Sequence, residues 1–167
     1  MGDLVKVCRV VFGERNERVA IAINNHADFL REQNRDDDAI TLFEEAISIL
    51  SEVLGPRHSR VAMASHNLGV TLTRSGRPGD ALPYLQESLD IFSGAVPPTH
   101  WILAQMRLSL SEAYLGLARV DLALPLVREA HAGLLEQFGP EHSRTRKATE
   151  LLGVAEAGLA GEAHRSP

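Results

Sequence analysis

Three histidines, His58, His100 and His142, recur at intervals of 42 residues, and histidine is the side chain that most often binds transition metals near neutral pH. A shared ion would need all three imidazoles within about 2 Å of one point. Rings one structural unit apart stand on the order of 10 Å from each other, the spacing of packed helices. No metal site is therefore expected, and the rings read as loop residues beside helix starts. Asp36, Asp37 and Asp38 form the other dense cluster. A calcium loop alternates its ligands around a central Gly and closes with a distant Glu, and nothing of that kind follows here. Three acids at a helix start instead complement the helix dipole. The chain carries no nucleophile elbow, phosphate-cradling glycine loop or dinucleotide-binding glycine pattern. The expectation is no catalytic residue, no metal and no cofactor, in a protein that is not an enzyme.

The elements that carry these residues repeat without a gap. Gly13-Glu-Arg-Asn-Glu-Arg-Val-Ala20 returns as Gly55-Pro-Arg-His-Ser-Arg-Val-Ala62, then as Pro97-Pro-Thr-His-Trp-Ile-Leu-Ala104 and Gly139-Pro-Glu-His-Ser-Arg, each 42 residues after the last. A fixed period of this size marks a solenoid of two-element units. Each such unit packs only on its neighbours.

Within the block from Gly55, Ser59 is expected to cap a helix that runs to about Ser75, with Val61, Ser65, Leu68 and Leu72 on one face. Gly76-Arg77-Pro78 should end it, Gly in a left-handed turn and Pro in the first turn of the next helix. A second helix then runs from Pro78 to about Phe92. Two helices so closely joined must lie antiparallel. By the same pattern helices span 18–33 and 37–53 in the first block, and 101–117 and 120–137 in the third. Small residues, Ala27, Gly69 and Ser111 on the first helices and Ala39, Ala81 and Ala123 on the second, fall where paired helices need close approach. Pro83 and Pro125 sit inside second helices, where Pro normally costs about 3 kcal/mol. A bend is expected in those two units and not at Thr41 of the first.

The predicted organisation is an orphan second helix over 1–12, repeats over 13–54, 55–96 and 97–138, a capping helix over 139–159 and a disordered tail over 160–167. Residues 1–12 align so that Leu4, Val5, Cys8 and Val11 fall where Ala46, Ile47, Leu50 and Val53 fall. That helix lacks its mate, which suggests a carboxy-terminal piece of a longer protein and self-association through residues 1–12. The fold class expected is all-α, an α-solenoid of antiparallel helix pairs with about three full repeats and a partial one at each end.

Of the 167 residues, 44% are hydrophobic but only 5% aromatic, which suits an all-helical chain. The net charge of −5 leaves no electrostatic footprint for nucleic acid or an anionic membrane. Proteins or peptides remain as partners. The one cysteine, Cys8, excludes an internal disulfide and fits a reducing, cytoplasmic setting. Trp101, the only tryptophan, stands at a helix start where other blocks carry Glu17, Ser59 and Ser143. Packing against the preceding helix is expected, with partner anchoring as the alternative.

Leu54-Gly-Pro-Arg-His-Ser-Arg-Val-Ala62, Ala22-Ile-Asn-Asn25 and Gly76-Arg-Pro-Gly-Asp-Ala-Leu-Pro-Tyr-Leu85 resemble the 42-residue, kinesin-light-chain type of tetratricopeptide repeat. The third and fourth blocks also resemble the final repeats that follow kinase domains in bacterial serine/threonine kinases. That second resemblance implies an alternative, a regulatory or sensor region of a larger enzyme, although no kinase motif stands in this chain. The first implies a right-handed α-solenoid and a non-catalytic scaffold that holds a peptide or partner domain in a concave groove lined mainly by the first helix of each unit. Its groove positions map onto Asn24, Asp28 and Arg31, with Ile21 and Glu32, in the first unit. In the second they map onto His66, Thr73 and Arg74, with Met63 and Val70. The third supplies Gln105, Leu108, Glu112 and Leu115, and the fourth Lys147, Glu150 and Val154. The family's paired Asn is kept as Asn24-Asn25, half kept as His66-Asn67 and lost as Leu108-Ser109. Side-chain amides both donate and accept, which suits an extended peptide backbone.

Overall fold

The computed structural model describes residues 2–163, with side chains through Ala160. Among the described residues every regular element is a helix: α1 (Gly2–Phe12), α2 (Glu17–Glu32), α3 (Asp36–Leu54), α4 (Ser59–Arg74), α5 (Pro78–Ala95), α6 (Trp101–Gly116), α7 (Val120–Phe138) and α8 (Ser143–Ala163). The chain divides into two compact units, Met1–Ile91 and Phe92–Pro167.

In the first unit, α1 packs on α2, α2 on α3, and α3 on α4. Val19, Ala20, Ile23 and Ala46 are wholly buried there beside Leu50, Val61 and Ala64, with Cys8 and Ile47 at the edge. Full burial of one such aliphatic side chain stabilises by roughly 1.5–3 kcal/mol. Gly69 on α4 is where the close-approach pattern is tightest. A Cβ there would lie 2.6 Å from Leu85 Cγ of α5, so only Gly lets these two helices come this near. In the second unit, α6 packs on α7 and α7 on α8. Val127, Ala130 and Ala148 are fully buried beside Leu108 and Leu134.

The 42-residue period is written into the turns. Asn34, Gly76 and Ala118 all take left-handed backbone, with φ of 60°, 79° and 56°. Each lets the next amide reach back over the helix end: Arg35 to the Leu30 carbonyl at 3.0 Å, Arg77 to Leu72 at 2.9 Å, Arg119 to Tyr114 at 2.9 Å. These are Schellman closures, which satisfy carbonyls the helix leaves orphaned. The arginine that follows each turn then pairs forward, Arg35 with Asp38, Arg77 with Asp80 and Arg119 with Asp121. Pro83 and Pro125 stand inside continuous helices. At the matching position Thr41 sends its hydroxyl to the Asp37 carbonyl at 3.1 Å.

Two local expectations need correction. Ser59 does not cap α4, because His58 does, with its ring nitrogen accepting from the Arg60 amide. The last helix does not stop near Leu159 but continues to Ala163, since Ala and Glu in 160–163 favour helix over a tail. The remainder of the expected disordered tail, 164–167, lies outside the described residues.

Candidate functional site

The three histidines share one structural task. His58 Nδ1 accepts from the Arg60 amide at 3.1 Å, His100 Nδ1 from Ile102 at 3.2 Å, and His142 Nδ1 from Arg144 at 3.2 Å. In the first unit Asn16 Oδ1 does the same for Arg18 at 2.9 Å. Each side chain satisfies an amide that the start of a helix leaves open. The loop reading of these rings thereby acquires a definite bond.

The α2 and α4 helices of the first unit bring polar side chains together around Asp28. Asn24 Nδ2 and Asn67 Nδ2 each donate to Asp28 Oδ2 at 3.4 Å, and the Arg31 guanidinium lies 2.7 Å from Asp28 Oδ1. Burial raises the Asp28 carboxyl above its ordinary range; Arg31 opposes that shift and Glu32 adds to it. Beside Asn24 lies a cleft of about 140 Å³ lined by Ile21, Asn24, Leu50, Arg60, Met63 and Ala64. Arg60 at its rim pairs with Glu17 at 2.8 Å. The surface thus offers an apolar hollow with an amide at its wall and mixed charge around it.

Arg74, which is exposed, and Thr73, which is half-buried, bond to groups of the chain itself from the last turn of α4. Arg74 bonds the Asp36 carboxylate and the Arg31 carbonyl, tying the end of α4 to the turn between α2 and α3. Thr73 donates its hydroxyl to the Gly69 carbonyl at 2.9 Å. His66 is only 8% exposed.

The corresponding face of the second unit, on α6 and α8, is built differently. Leu108, in register with Asn24 and His66, is 1% exposed and belongs to the core. Glu112 pairs with Lys147 at 2.8 Å. The two residues border a shallow cleft of about 230 Å³ with Glu150, Leu151 and Val154. Gln105 is half-buried on α6 and its carbonyl accepts from the Ser109 hydroxyl. Trp101 packs at the edge of the α6–α7–α8 core, with Arg144 4.3 Å over its ring.

A family model of the tetratricopeptide repeat matches residues 7–93. The chain belongs to the tetratricopeptide repeat family. Among solved structures it is similar to a Podosopora anserina protein of kinesin-light-chain type with nearly identical TPR-like repeats: TM-score 0.82, 16% identity, 98% of this chain and 77% of that one. It is also similar to BtubC (BKLC) from P. vanneervenii, with TM-score 0.69, 17% identity, and 91% and 68% of the two chains covered. The MamA RS-1 double mutant aligns with TM-score 0.54 and 16% identity over 96% and 93%. No curated protein matches the chain. At such identities the likeness concerns the fold, an all-α helical repeat of kinesin-light-chain type.

Of the groove positions carried over from this family, Asn24, Asp28 and Arg31 come together in one network. Arg74 and Thr73 serve as internal ties, and Gln105 and Glu112 stand on the second unit. Leu108 is corrected from groove wall to core, because an aliphatic side chain at that register position turns into the α6–α7–α8 packing. Residue types alone did not pick out Asp36 as the Arg74 partner, since the aspartate run reads equally well as a dipole complement. Arg60 and Leu50 as cleft walls gave no signal at all. Asn67 did carry one, standing 42 residues after Asn25.

Proposed function

We propose that this tetratricopeptide repeat protein is a non-catalytic interaction scaffold, and that the α2/α4 face of the first unit is where an extended protein or peptide segment is held. One observation supports the reading above the others. Two amide side chains, Asn24 and Asn67, converge on Asp28 beside an apolar cleft, which combines an apolar anchor point with groups that recognise peptide backbone. No helix among the described residues is long and apolar enough to cross a membrane, and the lone thiol of Cys8 suits a reducing cytoplasm. Selection from a displayed random peptide library tests the reading. Peptides that bind the chain are expected to lose at least tenfold in affinity when Asn24→Ala and Asn67→Ala are combined, with helicity unchanged. Peptides that bind the double variant as well as the parent would place the partner elsewhere.

A second reading rests on α1. Leu4 and Val7 are 53% and 57% exposed, although their counterparts 42 residues on, Ala46 and Ile49, are buried. With Val11 they form a stripe at heptad spacing, which suits pairing with α1 of a second copy. Sedimentation should show a dimer that Leu4→Glu abolishes; a monomer at all concentrations contradicts it.

A further inference from the structure

Each unit carries a cleft at the same register position. In the first unit Glu14, Arg15, Glu45, Ser48 and Ile49 line a cleft of about 310 Å³. Two repeats later, Thr99, Gly133, Glu136 and Gln137 line one of about 350 Å³. The register pairs Arg15 with Thr99, Ile49 with Gly133 and Glu52 with Glu136. The first cleft is complete in itself: the Arg15 guanidinium pairs with Glu52, and Ile49 forms an apolar wall. The second keeps the carboxylate and has lost both companions. Among the described residues no hydrogen bond or ion pair reaches the Glu136 carboxylate, and nothing lies within 4 Å of a Cβ added at Gly133. Glu129, one turn earlier on α7, already has its own cation in Arg107 at 3.1 Å. An exposed carboxylate is stable without a partner, so the free charge alone would mean little. What matters is that a cation and an aliphatic wall are missing together, beside open space. An arginine side chain supplies both, an aliphatic stem and a guanidinium. The Thr99 hydroxyl and the Gln137 side-chain carbonyl on the same cleft can accept the guanidinium N–H groups that Glu136 leaves over. The lining holds no cation for the carboxylate of a free amino acid, which points to an arginine within a chain.

We infer that this cleft on α7 binds one arginine side chain of a partner protein, its stem over Gly133 and its guanidinium on the Glu136 carboxylate. The site belongs to the second unit, and it stands or falls without the α2/α4 reading.

NMR of the isotope-labelled full chain tests it, with N-acetyl-argininamide as the probe and the Gly133 and Ile49 backbone amides as reporters. Gly133 should shift saturably, and Ile49, whose cleft already holds Arg15, should stay unmoved. The neutral isostere N-acetyl-citrullinamide should bind about fivefold more weakly, the scale of an exposed ion pair. N-acetyl-lysinamide, a point charge without the planar fork, should also be weaker, and free arginine should gain nothing over the capped form. Glu136→Gln removes the charge, and Thr99→Arg supplies from within what the partner would bring. Each should abolish the Gly133 response while the spectrum stays folded. A citrulline or lysine probe that binds as well, tighter binding of free arginine, or equal shifts at Gly133 and Ile49 would each overturn the inference. So would a response that survives either variant, or no saturation up to the solubility limit.

Discussion

The two units share one register and present different faces. On α2 and α4, the positions at Asn24 and Asn67 carry amides that lean over Asp28 beside an open apolar hollow. On α6 and α8, the position in register with Asn24 is Leu108, drawn into the core, and the charges beside it close on each other as Glu112 and Lys147. The contrast teaches that the period dictates where a helix runs, whereas single residue types decide whether a register position faces a partner or the interior.

The largest expected effect contrasts Gly69 with Gly153, which occupy the same register position. Gly69→Ala drives a Cβ into Leu85 and should cost about 1–3 kcal/mol, as overpacking does. Gly153→Ala meets nothing within 4 Å on α8 and should stabilise by about 0.5–1 kcal/mol, the helix preference of Ala over Gly. Urea unfolding of both variants checks the pair, and equal signs would mean the two helices pack alike.

Next come the caps. His58→Ala and His100→Ala should each cost about 1 kcal/mol, one in each unit, with Asn at either position restoring most of it. A loss that Asn does not restore would assign the rings to packing instead. Slightly smaller is the effect of the left-handed turns. Ala118→Gly should gain about 1 kcal/mol by removing Cβ strain, while Asn34→Gly changes little because Asn tolerates that backbone.

The smallest effect concerns Asp28. Its folded-state pKa is raised, chiefly by burial, so its ionised form weakens the fold above that pKa. Asp28→Asn should therefore raise the melting temperature at pH 7, and the gain should shrink as pH falls through the raised value toward the ordinary aspartate range. A gain independent of pH would mean that burial of the charge is not its source.

Much of this was legible in the chain. Helix limits followed from the period to within a few residues, because Gly76 and the Pro78 start break the pattern where backbone chemistry demands it. The left-handed turn at Ala118 was not legible from residue type, since its conformation is imposed by the Arg119–Tyr114 closure. The histidine caps were missed because Ser59 beside His58 is the commoner capping residue, and only the ring geometry reveals which side chain accepts. The tie from Arg74 to Asp36 was not legible, because the two lie 38 residues apart on different helices.

The central claim is that binding belongs to the α2/α4 face and not to the α6/α8 face. NMR titration of the full chain with a library-selected peptide tests it most directly. Saturable shifts are expected at Asn24, Met63 and Asn67, with Gln105, Glu112 and Lys147 unmoved. Shifts confined to Gln105, Glu112 and Lys147 would contradict it.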